Sequence, residues 1–95
     1  MWRVIIRMSF DYDRGSKLRY RVEKRLEECG ILFSRATGTW EGLAVRPQDA
    51  TKQLQHAMAL LSDPRQISGV GRARLDHLWI YIDRAKNQTV SKPTT

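Results

Sequence analysis

Trp2, Val4, Ile6, Met8 and Phe10 alternate with Arg3, Ile5, Arg7 and Ser9. A period of two is that of a strand with one face in a core, so Trp2–Phe10 is expected to be half-buried. Asp11-Tyr12-Asp13-Arg14-Gly15 then reads as a loop, with Ser16 as the expected helix N-cap. From Lys17 to Cys29 the apolar positions Leu18, Val22, Leu26 and Cys29 fall at helical spacing, and Gly30 is placed to stop that helix.

Two short strands are expected at Ile31–Arg35 and Thr39–Val45, joined by the hairpin-length Ala36-Thr37-Gly38. Pro47 opens a second helix at the position where proline is tolerated, and Ser62-Asp63-Pro64 ends it. Its expected inner stripe is Ala50, Leu54, Ala57, Met58 and Leu61. A glycine-containing basic connection, Arg65 to Arg74, leads to a last alternating run, Leu75 to Asp83. There Leu78, Ile80 and Ile82 are expected to face the core, with His77, Trp79 and Tyr81 opposite. Asn87 to Thr95 is polar and is expected to be a loose tail after a domain spanning residues 1–86.

The order strand, helix, strand, strand, helix, strand predicts an α+β fold. The specific expectation is a ferredoxin-like βαββαβ sandwich, a four-stranded antiparallel sheet with two helices on one face. The other face stays open, and the first and last strands are neighbours. Arg3, Ile5 and Arg7 are therefore expected to share it with His77, Trp79 and Tyr81. Cations interleaved with aromatics suit stacking on bases and contact with phosphates, and they equally suit a homodimer interface.

Charge sharpens this picture. Seventeen Lys and Arg oppose ten Asp and Glu, a formal net charge of +7 over 95 residues. The excess is present in both halves, and most of the cations are arginine, whose planar fork matches phosphate. Such a field attracts polyanions, so RNA or DNA is the expected partner, against the plainer alternative of a solvated basic surface. A single cysteine, Cys29, forms no internal disulfide and suits a reducing cytoplasm; as a helix-end core residue it is expected to be inert. No apolar run is long enough to span a bilayer, so no membrane partner is expected.

Familiar catalytic signatures are missing. Gly69-Val70-Gly71 precedes a strand rather than opening a helix, so it reads as a turn and not as a phosphate cradle. The chemistry-bearing stretch is Asp11-Tyr12-Asp13 at the end of the first strand. Two carboxylates there are candidates for catalysis, with Asp11 as a ligand for Mg²⁺, and a dimer would bring four such groups around one axis. The alternative is that both aspartates merely start a turn and balance Arg14 and Lys17. His56 is expected at the surface, and neither it nor His77 has a nucleophile beside it in sequence.

The run from Phe10-Asp11 through a helix to Gly30, followed by FSRATGTWEG and LQHAMALL, resembles the virulence-associated protein D family. More remotely it is similar to the small nuclease-like subunit of CRISPR adaptation complexes. The resemblance covers about residues 2–83 as a pattern of elements, and its motifs are short. It implies a ferredoxin-like dimer, an endoribonuclease activity, a toxin–antitoxin or CRISPR-adaptation setting, and a divalent metal at paired aspartates. The position it carries over is Asp11, with Asp13 as second candidate. Arg3 and Arg7 in the first strand, and the basic loop from Gly69 to Arg74, depart from the family's pattern. Together these readings give a metal-assisted endoribonuclease-like dimer in which Arg3, Arg7, Arg14, Arg72, Arg74 and Trp79 contact nucleic acid. A non-catalytic nucleic-acid-binding or assembly module is the alternative, and a protein-interaction adaptor the second.

Overall fold

A computed structural model describes residues 1–84 of the chain; the expected tail at 87–95 lies outside the described residues. The elements run β1 (Trp2–Asp11), a single 3-10 turn (Arg14–Ser16), α1 (Lys17–Glu28), β2 (Ile31–Ser34), β3 (Thr39–Ala44), α2 (Pro47–Leu61) and β4 (Arg74–Arg84). All strand pairings are antiparallel, and the sheet order is β2-β3-β1-β4. This is the α+β, ferredoxin-like arrangement that the alternation and helical periods predict.

The alternation of β1 sets the two faces. Val4 and Ile6 are fully buried on the helix side, where Leu18, Val22 and Leu26 of α1 and Ala50, Ala57 and Leu61 of α2 complete the core with Ile31 and Trp40. Small alanines let α2 lie close across β1 and β3. Gly42 makes room for α2, since an added Cβ would stand 2.7 Å from Gln53 Oε1 and 3.0 Å from Ile31 Cγ1. Met58, expected in the α2 stripe, is instead 53% exposed. The inner stripe is Ala50, Leu54, Ala57 and Leu61, spaced by four, three and four, and Met58 falls just past its edge.

On the open face the register sets Arg3 opposite Asp83, Ile5 opposite Tyr81, Arg7 opposite Trp79 and Ser9 opposite His77. Ile5 retains only 5% exposure although no helix covers it, because Glu41 and Tyr81 flank it across the strands. β4 is held chiefly by β1, and its helix-side residue Leu78 remains 38% exposed. The β1–β4 ladder shifts register between Ser9 and Phe10, so that Asp76 is the extra residue of a bulge. That bulge aims the last rung, Asp11 opposite Arg74, away from the regular pleat.

Candidate nucleic-acid interface

The local structure after β1 differs from a simple capped helix. Tyr12, Gly15 and Ser16 all lie in left-handed backbone, at φ 55°, 68° and 57°. Ser16 occupies the N-cap position of α1 but makes no side-chain capping bond. Asp13 does that work instead. Its Oδ1 accepts from the Leu18 N–H at 2.8 Å and its Oδ2 from the Arg19 N–H at 2.9 Å. Two of the helix's orphan donors are thereby satisfied, and the negative charge sits at the positive end of the dipole. The tight left-handed turn is what brings Asp13 back over the helix, and each non-glycine residue held there costs about 1–3 kcal/mol.

A cleft of about 780 Å³ opens between this turn, the first two turns of α1 and the loop before β4. Arg14, Lys17 and Arg72 line it together with Tyr12, Leu18, Arg21 and the 69–73 segment. The loop is drawn onto α1 by Arg21, whose Nη2 donates to the carbonyls of Gln66 at 3.0 Å, Ser68 at 2.5 Å and, more loosely, Arg65. Gly69 permits the approach, since a Cβ there would meet Ala73 Cβ at 3.1 Å and Leu18 Cβ at 3.4 Å. Gly71, at φ 68°, closes the turn, with Gly69 N–H donating to Ala73 O and Ala73 N–H to Val70 O. Glycine is suited to that φ because it has no Cβ to clash.

The cleft is cationic by arrangement. Among the described residues no carboxylate lies within ion-pair distance of Arg14, Lys17 or Arg72. The guanidinium of Arg72 lies 4.3 Å from the ring centre of Tyr12, and its Nη2 is 3.4 Å from the phenolic oxygen. Arg74 joins the cleft to the end of β1: it stands 5.9 Å from the Tyr12 ring and 3.9 Å from Asp11 Oδ2.

The candidate residues therefore separate. Arg14 and Arg72 meet in the cleft, and Arg74 and Asp11 stand at its rim. Asp13 lines the cleft too, but its carboxylate is spent on α1. Arg7 and Trp79 face each other on the open sheet, about 13 Å along the strand from Asp11. Trp79 is stacked on His77 at 5.8 Å between centroids. Arg3 is farther still and is held by Asp83 through two charge-assisted bonds, Nε–Oδ1 at 3.0 Å and Nη2–Oδ2 at 2.8 Å. That pairing raises the pKa of the Arg3 guanidinium and lowers that of the Asp83 carboxyl. Tyr12, Lys17 and Arg21 were not singled out as site residues by the sequence. The available signal was an aromatic residue between two aspartates, followed by cations at positions 14, 17 and 21.

Three other groups bear on the chemistry. Ser9 Oγ and Asp76 Oδ2 both approach His77 Nδ1, at 3.4 and 2.5 Å. A nucleophile–base–carboxylate relay needs the two ring nitrogens to serve different partners, so this trio is not one. Cys29 is half-buried, its Sγ 3.6 Å from Arg25 O, and burial above all pushes its thiol pKa up, in keeping with an inert role. His56 is exposed, as expected.

Asp13 is committed to backbone donors, and no group of three His, Cys, Asp or Glu among the described residues could hold a metal ion. No helix among the described residues is long and apolar enough to cross a membrane. Compared with protein-family models, with curated proteins and with solved structures, the chain gives no match.

Proposed function

We propose that this protein binds nucleic acid, anchoring the phosphate backbone in the cleft between the β1–α1 turn and the 69–73 loop. The observation that carries the reading is the convergence there of Arg14, Lys17 and Arg72, without a carboxylate ion-pair partner among the described residues, on a chain of net charge +7. Cations without ion-pair partners around a concave surface exchange their counterions for phosphates, with a strong salt dependence. RNA and DNA both present that backbone.

A second reading is turnover: an endoribonuclease-like homodimer, in the manner implied by the resemblance to the virulence-associated protein D family. It is favoured by the partly exposed Asp11 carboxylate at the cleft rim, only 3.9 Å from Arg74. One experiment tests both. Purified protein is incubated with labelled single-stranded RNA and duplex DNA, with Mg²⁺ or EDTA, beside the Asp11→Ala variant. Retarded, uncut nucleic acid supports the binding module. Fragments from wild type alone, lost in EDTA, support a metal-dependent nuclease that Asp11 serves. Neither binding nor cleavage at low salt sinks the nucleic-acid reading and points to a protein partner.

A further inference from the structure

The cleft has a second character besides its charge. Its wall is apolar, formed by Leu18, Val70 and Ala73, and its mouth carries the Tyr12 ring, 55% exposed and already layered against Arg72. A surface serving phosphates alone gains little from an aromatic ring. The fold does not require tyrosine at this position either, because asparagine or glycine adopts φ 55° more readily than any bulky residue. A strained, exposed aromatic beside free cations is an arrangement for a ligand with a flat apolar part and an anionic part. Its volume of about 780 Å³ is that of a small-molecule site. In a duplex the bases are stacked inward, so only an unpaired nucleotide presents both parts at once.

We propose that this cleft seats one unpaired nucleotide, its base on the Tyr12–Arg72 stack and its phosphate on Arg14 and Lys17. The inference rests on the nucleic-acid reading above and narrows it. A planar base joined to a phosphate is shared by a free nucleotide and by an unpaired residue within a strand. The Asp13 carboxylate, turned onto the N–H groups of Leu18 and Arg19, leaves the phosphate to the side-chain cations rather than to the helix end.

The test uses the full chain, titrated calorimetrically with adenosine monophosphate, adenosine and inorganic phosphate. The same single-stranded RNA is then compared with its duplex by fluorescence anisotropy, and each measurement is repeated with Tyr12→Asn and Arg72→Ala. Single strand is expected to bind at least tenfold more tightly than duplex. Either substitution is expected to weaken it fivefold or more, in the range set by loss of one base stack. Tyr12→Asn should melt no lower than wild type, which separates loss of the ring from loss of the fold. Adenosine monophosphate binding more tightly than both its fragments assigns the free nucleotide as a ligand. A substitution-sensitive single strand with no measurable mononucleotide binding assigns the residue within a strand. Equal affinities for single strand and duplex, or a single strand and mononucleotide indifferent to both substitutions, overturn the proposal while the nucleic-acid reading stands. No binding of any nucleic acid or mononucleotide by wild type removes both.

Discussion

Asp11 and Arg74 form the last rung of the β1–β4 ladder, and their side chains meet at 3.9 Å just after the bulge at Asp76. Both are partly exposed, so the pair is a weak one, and Arg74 remains available to an anion that competes for it. Asp11→Asn removes the competitor without changing shape. The expected outcome is nucleic-acid affinity that is unchanged or up to about threefold higher at low salt, consistent with an exposed pair worth ~0.2–1 kcal/mol. Any Mg²⁺-dependent cleavage is expected to vanish in the same protein. A folded Asp11→Asn variant that loses binding and cleavage together sinks the assignment of Asp11 to the chemical step.

The cleft cations make a quantitative prediction about salt. Each phosphate neutralised contributes about 0.7 to the slope of log K against log salt for a single strand. Replacing Arg14 and Lys17 together with alanine is expected to lower that slope by about 1.4 and to weaken binding at least tenfold at low salt. Arg65→Ala is the control, because that side chain is exposed and already paired with Asp63. Anisotropy titrations at four salt concentrations measure both quantities. Equal slopes for the double variant and the control would place the binding surface elsewhere.

Asp13 separates structure from chemistry in the same turn. It accepts two backbone N–H groups of α1, so Asp13→Ala leaves both without that partner. A loss of about 1–2 kcal/mol of stability is expected, the cost of a strong cap. Urea denaturation followed by circular dichroism gives the number. Asp13→Asn, which keeps one acceptor oxygen, is expected to fall between the two. A variant of wild-type stability that has lost cleavage would instead return Asp13 to the catalytic machinery.

How much of this was legible in the sequence depended on the distance over which each feature is decided. The alternation of β1 and the helical stripe of α1 are local, and they gave the elements and their inner faces. Ser16 does stand at the N-cap position, but the capping bonds come from Asp13, because three left-handed residues in a five-residue turn are not visible as a period. Ile5 was placed on the correct face, but its burial depends on Glu41 and Tyr81, which reach it from other strands. The cleft was the least legible part. Arg14 and Lys17 lie more than fifty residues from Arg72, and they meet through Arg21 gripping the 65–68 carbonyls and Gly69 yielding to Leu18. Nothing in the helical period of α1 marks Arg21 as the residue that holds that loop.

Arg21 thus has a positioning role that can be tested. One nitrogen, Nη2, serves several carbonyls of one loop from the tip of a planar side chain, and lysine's chain is one atom shorter and ends in a flexible point charge. Arg21→Lys is expected to keep the net charge yet loosen the loop. Faster amide hydrogen exchange over residues 65–73 and a severalfold loss of nucleic-acid affinity should follow, with exchange in β1 and β3 unchanged. Unchanged exchange in the loop with weakened binding would mean that Arg21 contacts the ligand directly.

The Arg3–Asp83 pair, by contrast, predicts a pH dependence of stability away from the cleft. Its hydrogen bonds lower the folded-state pKa of Asp83 below the usual carboxylate value of about 3.9. A depressed folded pKa contributes stability that is fully present above the unfolded pKa and is lost as pH falls through the folded one. The contribution is therefore intact at pH 7 and begins to fade below about pH 4. Both side chains are about a third exposed, 33% and 38%, so solvent screening holds the effect to under ~1 kcal/mol. Asp83→Asn should melt lower than wild type at pH 7 and approach it as pH falls below about 4, where the unfolded chain binds the proton more readily than the folded one. Nucleic-acid affinity at neutral pH is expected to stay the same or rise slightly, since the substitution frees Arg3. A gap in melting temperature that is constant from pH 7 to pH 3 would mean that the pair contributes through shape and packing rather than charge.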